Sequence, residues 1–397
     1  MKKAIDQFLQ LAEDYREEAI GIRRYLHQHP ETAGCEKETT AYIKRLLLQS
    51  GIEVIDDSFE TGLIAKVNGK KQGKNICIRV EIDALPMKEK SGLPFASIRE
   101  DACHSCGHDL HMAAALTCAR ILQETRDCWS GNVGFIFQPA EETGQGARYM
   151  ISHHVLERLQ PDVMIGFHCW PELPAGSVGV RRGPMMAASD SIRIKITGRS
   201  GHAAHPHKCI DPILISSYVV QQLQNIVSRQ CDPVEAAVIT IGKISGGTAD
   251  NAIPAIVELE GTARSLRPED RIQIQKAVTR IVEHTAAAMG GTGEVIITED
   301  GDPLICDDTV ASYIEEAAAC VAAGPVVQLQ KPSMGMEDFA YYLRDLPGAY
   351  FRVGSANEQA ASRLSLHNPE ILFDEGAILT ACKVLLQFTA LYDDFDR

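Results

Sequence analysis

The sequence lacks three features that would indicate a membrane, secretion or a nucleic-acid partner. No segment approaches the roughly 18 consecutive apolar residues of a membrane helix, and acidic residues interrupt the N-terminal region before the apolar stretch of a signal peptide can form. The formal net charge of −14 leaves no basic excess for binding nucleic acid or anionic lipid. We therefore expect a cytoplasmic protein whose 12 cysteines stay reduced.

The length and the order of predicted elements indicate two domains. A chain of 397 residues exceeds what one hydrophobic core usually organises, and its 45% hydrophobic content is that of an ordinary globular protein. Residues 1–187 and 300–397 alternate helical and strand patterns, which predicts a discontinuous α/β domain. Residues 188–299 follow the order βαββαβ, which predicts an inserted ferredoxin-like domain.

The segment Cys-His-Ser-Cys-Gly-His-Asp-Leu-His at residues 103–111 concentrates metal-binding side chains before a predicted helix. Thiolates, imidazoles and carboxylates bind borderline transition metals. Cys106 and His108 would point apart on extended backbone, so a turn at Gly107 is needed to bring them together. Cys103 and Cys106 also have the spacing of a redox pair, but the histidines and the large domain favour a metal site.

Two further groups of candidate residues follow predicted strands. In the pair Glu141 and Glu142, one carboxylate can bind metal while its neighbour acts as a general base, although an acidic pair can simply begin a helix. His168 is expected to cap the strand 163–167, where a single histidine is more often structural. His367 lies in a loop near the C-terminus and is a weak candidate by itself. The strand predicted at residues 75–82 is likewise followed by Asp83, and three strands ending in such residues favour one site at their carboxyl ends.

The predicted inserted domain contains two glycine-rich loops, at residues 198–207 and 246–251. The first is rich in histidine, and Arg264 and Arg267 lie near the end of a strand. Arginine side chains and loop amides suit the recognition of a substrate carboxylate. For Arg267, we adopt the simpler interpretation of a surface residue.

These motifs, in this order, resemble the amidohydrolases of the hippurate hydrolase, N-acyl-amino-acid amidohydrolase and auxin-conjugate hydrolase group. That group belongs to the clan of metallo-aminoacylases and carboxypeptidase G-type enzymes. The resemblance spans roughly residues 20–380. The matching segments are residues 23–31, 83–86, 104–111, 138–142, 168–171, 201–206, 335–339 and 366–367. Ser105 and Glu81 depart from the residues common in the family, alanine and aspartate, and neither change removes a matching ligand.

The resemblance implies a mixed-sheet α/β/α metallopeptidase domain with an inserted lid that also forms a homodimer. Two divalent ions are expected, zinc or manganese, with cobalt and nickel as alternatives. The implied metal ligands are Cys106, His108, Glu142, His168 and His367. Glu141 would be the general base, Asp83 would orient a ligand, and His202 would stabilise the oxyanion, reaching the partner subunit's site. Asn251 and Arg264 match carboxylate-binding positions.

The implied reaction is hydrolysis of the amide bond of an N-acyl amino acid, which gives a carboxylic acid and a free amino acid. N-acetyl, N-benzoyl and related conjugates are candidate substrates. A dipeptidase, an aminopeptidase or a carboxypeptidase could use the same chemistry. A catalytically inactive ligand-binding module is the alternative from a different functional class, and the intact set of matching ligands argues against it.

Overall fold

The computed structural model describes residues 2–56 and 58–392, which form two compact units. The first unit comprises the chain up to Gly183, Ile305–Lys331 and the chain from Tyr341 onward. The second comprises Pro184–Leu304 and Pro332–Ala340. No pattern in the sequence predicts that Pro332–Ala340 belongs to the second unit while the segments before and after it belong to the first.

The helices, in chain order, are α1 (Lys2–Asp14), α2 (Arg16–Gln28), α3 (Lys37–Gln49), α4 (His108–Glu124), α5 (Gly146–Ser152), α6 (Val155–Leu159), α7 (Pro212–Asn225), α8 (Pro268–Ala288), α9 (Asp308–Val321) and α10 (Gly376–Tyr392). None of these described helices combines the length and the apolar character needed to cross a lipid bilayer.

The strands are β1 (Glu53–Asp56), β2 (Leu63–Asn68), β3 (Lys71–Glu81), β4 (Ser130–Gln138), β5 (Val163–Pro174), β6 (Val178–Val180), β7 (Gly183–Met186), β8 (Ala188–Thr197), β9 (Gly201–His202), β10 (Ala237–Gly246), β11 (Ala252–Ile253), β12 (Ile256–Ser265), β13 (Thr292–Gly301), β14 (Leu304–Cys306), β15 (Val326–Gln328) and β16 (Gly348–Ala356).

A mixed sheet with the order β1-β2-β4-β3-β5-β16-β6-β15 organises the first unit. The strands β4, β3, β5 and β16 run parallel to one another. At one end of this group β2 is antiparallel to β4 and β1 to β2, and at the other end β6 is antiparallel to β16. Every residue of β16 is buried, so both faces of the sheet are covered there. This arrangement confirms the predicted mixed-sheet α/β architecture. It also runs β3, β4 and β5 in the same direction, so that candidate residues follow the carboxyl ends of β3 and β4 at one edge of the sheet.

The second unit has the predicted βαββαβ order, formed by β8, α7, β10, β12, α8 and β13. Its sheet is antiparallel, with the strand order β10-β12-β8-β13. Isoleucines at 192, 194 and 196 of β8 are buried in the unit's core, whereas the alternate residues Arg193 and Lys195 are more exposed. This alternation is typical of an antiparallel sheet with one face packed on helices.

Candidate active site

The predicted turn at Gly107 is present and immediately precedes α4. Gly107 has φ +85°, a left-handed conformation that glycine adopts without steric cost. A Cβ atom at this position would lie 2.2 Å from the Cys169 Sγ atom, so the site has no room for a larger residue. The turn brings Cys106, on one side of Gly107, and His108, on the other, into one cluster of potential metal ligands.

Asp83, two residues beyond the end of β3, connects two of the candidate ligands. Its Oδ2 atom accepts a hydrogen bond of 2.9 Å from the backbone N–H of Glu142. The Nδ1 atom of His108 lies 2.9 Å from the Asp83 carbonyl oxygen and 3.4 Å from its Oδ1 atom. Because Nδ1 donates here, the lone pair of the neutral ring is on Nε2, which lies 3.9 Å from the Glu142 Oε1 atom.

His168 lies within β5, which continues to Pro174, so the prediction that it caps the strand is wrong. The extension forms because residues beyond Phe167 continue to pair with β16. The Nδ1–H group of His168 donates to the Cys169 carbonyl oxygen at 2.6 Å, which leaves Nε2 as the acceptor of the neutral ring. That Nε2 atom lies 3.3 Å from the Cys106 Sγ atom.

His367 reaches the cluster from the C-terminal part of the chain. It has φ +66°, and its backbone N–H donates to the Ser105 carbonyl oxygen at 3.1 Å. Its Nε2 atom lies 3.3 Å from the Glu142 Oε2 atom, and its side chain is 51% exposed. The backbone hydrogen bond therefore joins the His367 loop directly to the segment that contains Cys106.

The assembled side chains fit a metal centre. Potential ligand atoms lie within 4.8 Å of one another in the group Cys106, His108 and His168, and in the group Cys106, Glu142 and His367. Three buried atoms of the cluster have no hydrogen-bond partner among the described residues: Asp83 Oδ1, His108 Nε2 and Glu142 Oε1. Buried polar atoms are normally paired, so these atoms are suited to a cation. The donor set of sulfur, nitrogen and oxygen suits a transition metal.

The electrostatics of the cluster also favour a cation. Burial lowers the pKa of His108, but its hydrogen bond to Asp83 and the surrounding carboxylates outweigh burial and raise this pKa to about 10. Burial, with the charge of Glu142, raises the pKa of the Cys106 thiol well above its usual value. Burial and nearby His111 lower the pKa of His168 well below its usual range. Metal binding must release the Cys106 proton, because the thiolate is the ligand.

Glu141 and Glu142 lie in a short 3-10 turn, Glu141–Thr143, that follows β4. Ala140, immediately before it, has φ +55°, which is uncommon for a residue other than glycine. The Ala140 N–H donates to the Oε1 atom of Glu36 at 2.9 Å, and Glu36 is fully buried at the start of α3. The left-handed conformation that directs the two glutamates is therefore held by a carboxylate from a distant part of the chain.

Comparisons with known proteins identify the family. A family model described as Peptidase family M20/M25/M40 matches residues 77–390. The chain belongs to this family. N-acetyl-L-cysteine deacetylase of Bacillus subtilis is 40% identical over 368 residues, covering 93% of this chain and 86% of that protein. Thermostable carboxypeptidase 2 of Saccharolobus solfataricus is 36% identical, covering 90% of this chain and 91% of that protein.

A solved structure supports the same assignment for this M20-family chain. The Bacillus subtilis YXEP protein, described as a dinuclear metal binding peptidase from the M20 family, matches with a TM-score of 0.85 and 34% identity. The match covers 96% of this chain and 99% of that chain. The prediction of a metal-dependent amidohydrolase is confirmed. The roles predicted for individual site residues remain predictions.

A buried ionic network that no sequence motif predicts lies next to the proposed ligands of this M20-family chain. The His111 Nδ1 atom lies 2.8 Å from Glu81 Oε2, while its Nε2 atom accepts the Cys169 N–H at 2.9 Å. Glu81 also pairs with Arg79, whose Nε–H donates to Gln138 at 2.8 Å. Both ring nitrogens of His111 therefore have protein partners. A charged residue within the apolar stretch of β3 was the available signal.

A second buried group connects α2 to the start of α4. Asp109 is fully buried, and its Oδ2 atom accepts from Arg23 Nε at 2.7 Å. The same oxygen lies 2.9 Å from His27 Nδ1, and His27 Nε2 lies 3.1 Å from Glu89 Oε1. Burial raises the pKa of the Asp109 carboxyl, but Arg23 and His27 outweigh burial and lower it. These ion pairs hold the residue that follows His108.

The second unit carries the remaining predicted residues. His202 lies in β9, paired with Ala252 of β11, and is exposed. Its Nδ1 atom accepts the Ala204 N–H at 3.1 Å, so the proton of the neutral ring is on Nε2. The Asn251 carbonyl oxygen accepts the Ala203 N–H at 3.0 Å, which brings the two glycine-rich loops together. Arg264 lies near the carboxyl end of β12, whereas Asn251 precedes that strand.

Proposed function

We propose that this M20-family enzyme hydrolyses the amide bond of N-acyl amino acids, releasing a carboxylic acid and a free amino acid. The observation that carries the proposal is the position of Glu141 beside a buried ligand cluster that suits metal ions. The similarity to a protein named N-acetyl-L-cysteine deacetylase supports an N-acyl amino acid as the substrate. Zinc and manganese are the first metals to test, followed by cobalt and nickel.

Five side chains would hold two divalent ions: Cys106, His108, Glu142, His168 and His367. When bound, the ions supply Lewis acidity, which polarises the amide carbonyl and lowers the pKa of water. Asp83 orients His108 through their hydrogen bond, and it holds the backbone of Glu142. The protein's contribution is thus to fix the direction of the ligand atoms before any substrate is bound.

Glu141 acts as the general base in this proposal. Its carboxylate removes a proton from the attacking water and delivers that proton to the leaving amine nitrogen. The Nε2–H group of His202 donates to the oxygen that becomes negatively charged as the water adds. Asn251 and Arg264 bind the α-carboxylate of the amino acid.

Substitution of the base tests the proposal directly. Glu141→Gln should retain the metal content of the wild type and lose activity on N-acetyl amino acids by about 100-fold or more, because only proton transfer is removed. The control Glu157→Gln changes an exposed glutamate of α6 and should leave both quantities unchanged. Metal content is measured by elemental analysis and activity by release of the free amino acid. A Glu141→Gln enzyme with a near-normal rate would reject the assigned base.

A carboxypeptidase activity is the second candidate, favoured by the similarity to a protein named Thermostable carboxypeptidase 2. Both reactions leave a free amino acid with its α-carboxylate, so they differ in the group on the acyl side. A substrate panel should contain N-acetyl and N-benzoyl amino acids together with dipeptides. Hydrolysis only of substrates with a free α-amine would favour a peptidase over the proposed amidohydrolase.

We also propose that the second unit is the lid and forms a homodimer. Helix α7 exposes three large apolar side chains, Ile213, Leu214 and Tyr218, each about half exposed. An exposed apolar group of this kind is typical of a protein interface. Sedimentation equilibrium should give the mass of two chains of 43.4 kDa each, and a monomeric mass at micromolar concentration would oppose the proposal.

A further inference from the structure

A buried arginine without an anionic partner lies in the sheet beside the ligand cluster. Arg352 of β16 is 6% exposed. Its Nε and Nη2 atoms are buried and have no hydrogen-bond partner among the described residues. Other buried arginines of the first unit are paired, since Arg23 binds Asp109 and Arg79 binds Glu81. Arg352 therefore differs from them in having no carboxylate within ion-pair distance among the described residues, since the exposed Glu172 acts on it only at longer range.

The plane of the Arg352 guanidinium is set by an indole ring. Its Cζ atom lies 3.6 Å from the centroid of the Trp170 ring. Stacking on a tryptophan face stabilises the cation but does not satisfy its N–H groups. The Trp170 Nε1 atom is a further buried donor without a partner. The pair thus offers three buried donor nitrogen atoms that have no acceptor among the described residues.

The pair is close to the proposed ligands. Arg352 is the register partner of His168 in the parallel pairing of β16 with β5, so both side chains emerge on the same face of the sheet. The rings of His168 and Trp170 are 6.1 Å apart. Because the guanidinium lies 3.6 Å from the Trp170 ring, it is no more than about 10 Å from the His168 ring. That is within the length of a small N-acyl amino acid.

The unpaired donors match a carboxylate. Nε–H and one Nη2–H lie parallel on one edge of the guanidinium, where they can bind both oxygens of a single carboxylate. A buried water could accept one hydrogen bond, but it would leave the charge unpaired, which is unfavourable in a protein interior. Burial lowers the pKa of Arg352 to about 10, and the charge of Glu172 offsets this only in part.

We propose that Arg352 and Trp170 form a subsite for a second carboxylate of the substrate. This inference rests on the proposed function, in which Asn251 and Arg264 take the α-carboxylate. Trp170 covers one face of the guanidinium and is itself partly exposed, so a shift of its indole ring gives the ligand access to the two donors on the guanidinium edge. The enzyme would then prefer dicarboxylic substrates over neutral ones of the same size.

The second carboxylate has two possible sources, which two substrate pairs distinguish. N-acetyl-L-glutamate and N-acetyl-L-glutamine differ in charge on the amino-acid side chain. N-glutaryl-L-alanine and N-pentanoyl-L-alanine differ in charge on the acyl group. In one pair, the wild type should show a kcat/KM for the charged substrate about tenfold to a hundredfold higher, the range expected for hydrogen bonds to a charged group. No preference in either pair would overturn the proposal.

Variants assign the preference to Arg352. Arg352→Met should bring the charged-to-neutral ratio of kcat/KM close to one, and Arg352→Lys should give an intermediate ratio because it keeps the charge without the paired donors. The control Arg182→Met removes an exposed arginine that pairs with Glu315, and it should keep the wild-type ratio. If Arg352→Met fails to fold, Arg352→Lys decides the question. A wild-type ratio in the folded variant would overturn the proposal.

A binding measurement separates this inference from the proposed function. The chain has 2 tryptophans, so Trp129→Phe leaves Trp170 as the only indole. In the metal-loaded protein with this change, glutarate should alter the Trp170 emission at lower concentration than pentanoate, and Arg352→Met should remove the difference. Equal responses to the two acids would overturn the subsite. A difference seen in a protein that hydrolyses no N-acyl amino acid would support the subsite while rejecting the function.

Discussion

Replacement of Gly107 by alanine tests whether the turn before α4 holds the proposed ligands. Two costs are expected. The first is conformational, because an alanine at φ +85° adopts the left-handed region at a cost of about 1–2 kcal/mol. The second is steric, because the new Cβ atom would lie 2.2 Å from the Cys169 Sγ atom, and that sulfur is buried. Overpacking of this kind typically costs about 1–3 kcal/mol.

Gly92 provides a matched control for the conformational cost. It has φ +71°, and a Cβ atom there would meet nothing within 4 Å. Gly92→Ala should therefore lose only about 1–2 kcal/mol, whereas Gly107→Ala should lose about 2–5 kcal/mol from both causes. Adding Cys169→Ala to Gly107→Ala removes the clashing sulfur, so the two substitutions should be coupled by about 1–3 kcal/mol.

Urea unfolding of the metal-free proteins measures these losses without the contribution of bound ions, and elemental analysis measures metal content after reconstitution. Gly107→Ala should bind less metal than Gly92→Ala, because Cys106 and His108 lie on either side of the altered turn. Equal destabilisation by the two substitutions, together with equal metal content, would refute the steric reasoning. The absence of coupling with Cys169→Ala would refute the assigned contact.

Two further predictions concern residues that take no part in the chemistry. Glu36→Ala removes the acceptor of the Ala140 N–H and should lower kcat by about tenfold with little change in KM, because small misplacements of a reacting group are costly. Glu36→Gln should retain most of the rate, and equal kinetics of the two variants would contradict this role. Burial lowers the pKa of His27, but Asp109 and Glu89 outweigh it and raise the pKa above 6.5. The folded protein thus binds this proton more tightly, so the stabilisation is complete below about pH 6.5 and is lost at higher pH. His27→Gln should flatten the decrease in unfolding midpoint above that pH, and an unchanged pH profile would contradict the assignment.

The sequence was most informative where local signals decide the structure. The periodic apolar residues between positions 37 and 49, which end before the helix-stopping Gly51, predict a helix there, and α3 is observed at Lys37–Gln49. Strand β5 was predicted to end at Phe167, yet it continues to Pro174. Its extension depends on pairing with β16, a strand far along the chain, and no local pattern contains that information.

The same distinction applies to the candidate site. The chemistry of their side chains predicts Cys106 and His108 as ligands, the resemblance to the family adds Glu142, and the structure brings the three together. Arg352 was not singled out, because its environment depends on which strands are neighbours in the sheet. A charged residue inside a buried strand signals a partner, but the sequence does not say whether that partner is a protein carboxylate, as for Arg79, or lies outside the chain.

The position of the proposed base depends on atoms that never contact the substrate. Ala140 is held in a left-handed conformation, and the turn around it is enclosed by glycines from both sides. A Cβ atom at Gly62 would lie 2.7 Å from the Pro139 Cδ atom, and one at Gly146 would lie 1.7 Å from the Pro139 carbonyl oxygen. Together with the Glu36 carboxylate, these contacts leave the turn little freedom to move. Glu141 therefore owes its direction to close packing by distant segments, which is why replacing a neighbouring glycine should impair catalysis as surely as replacing a ligand.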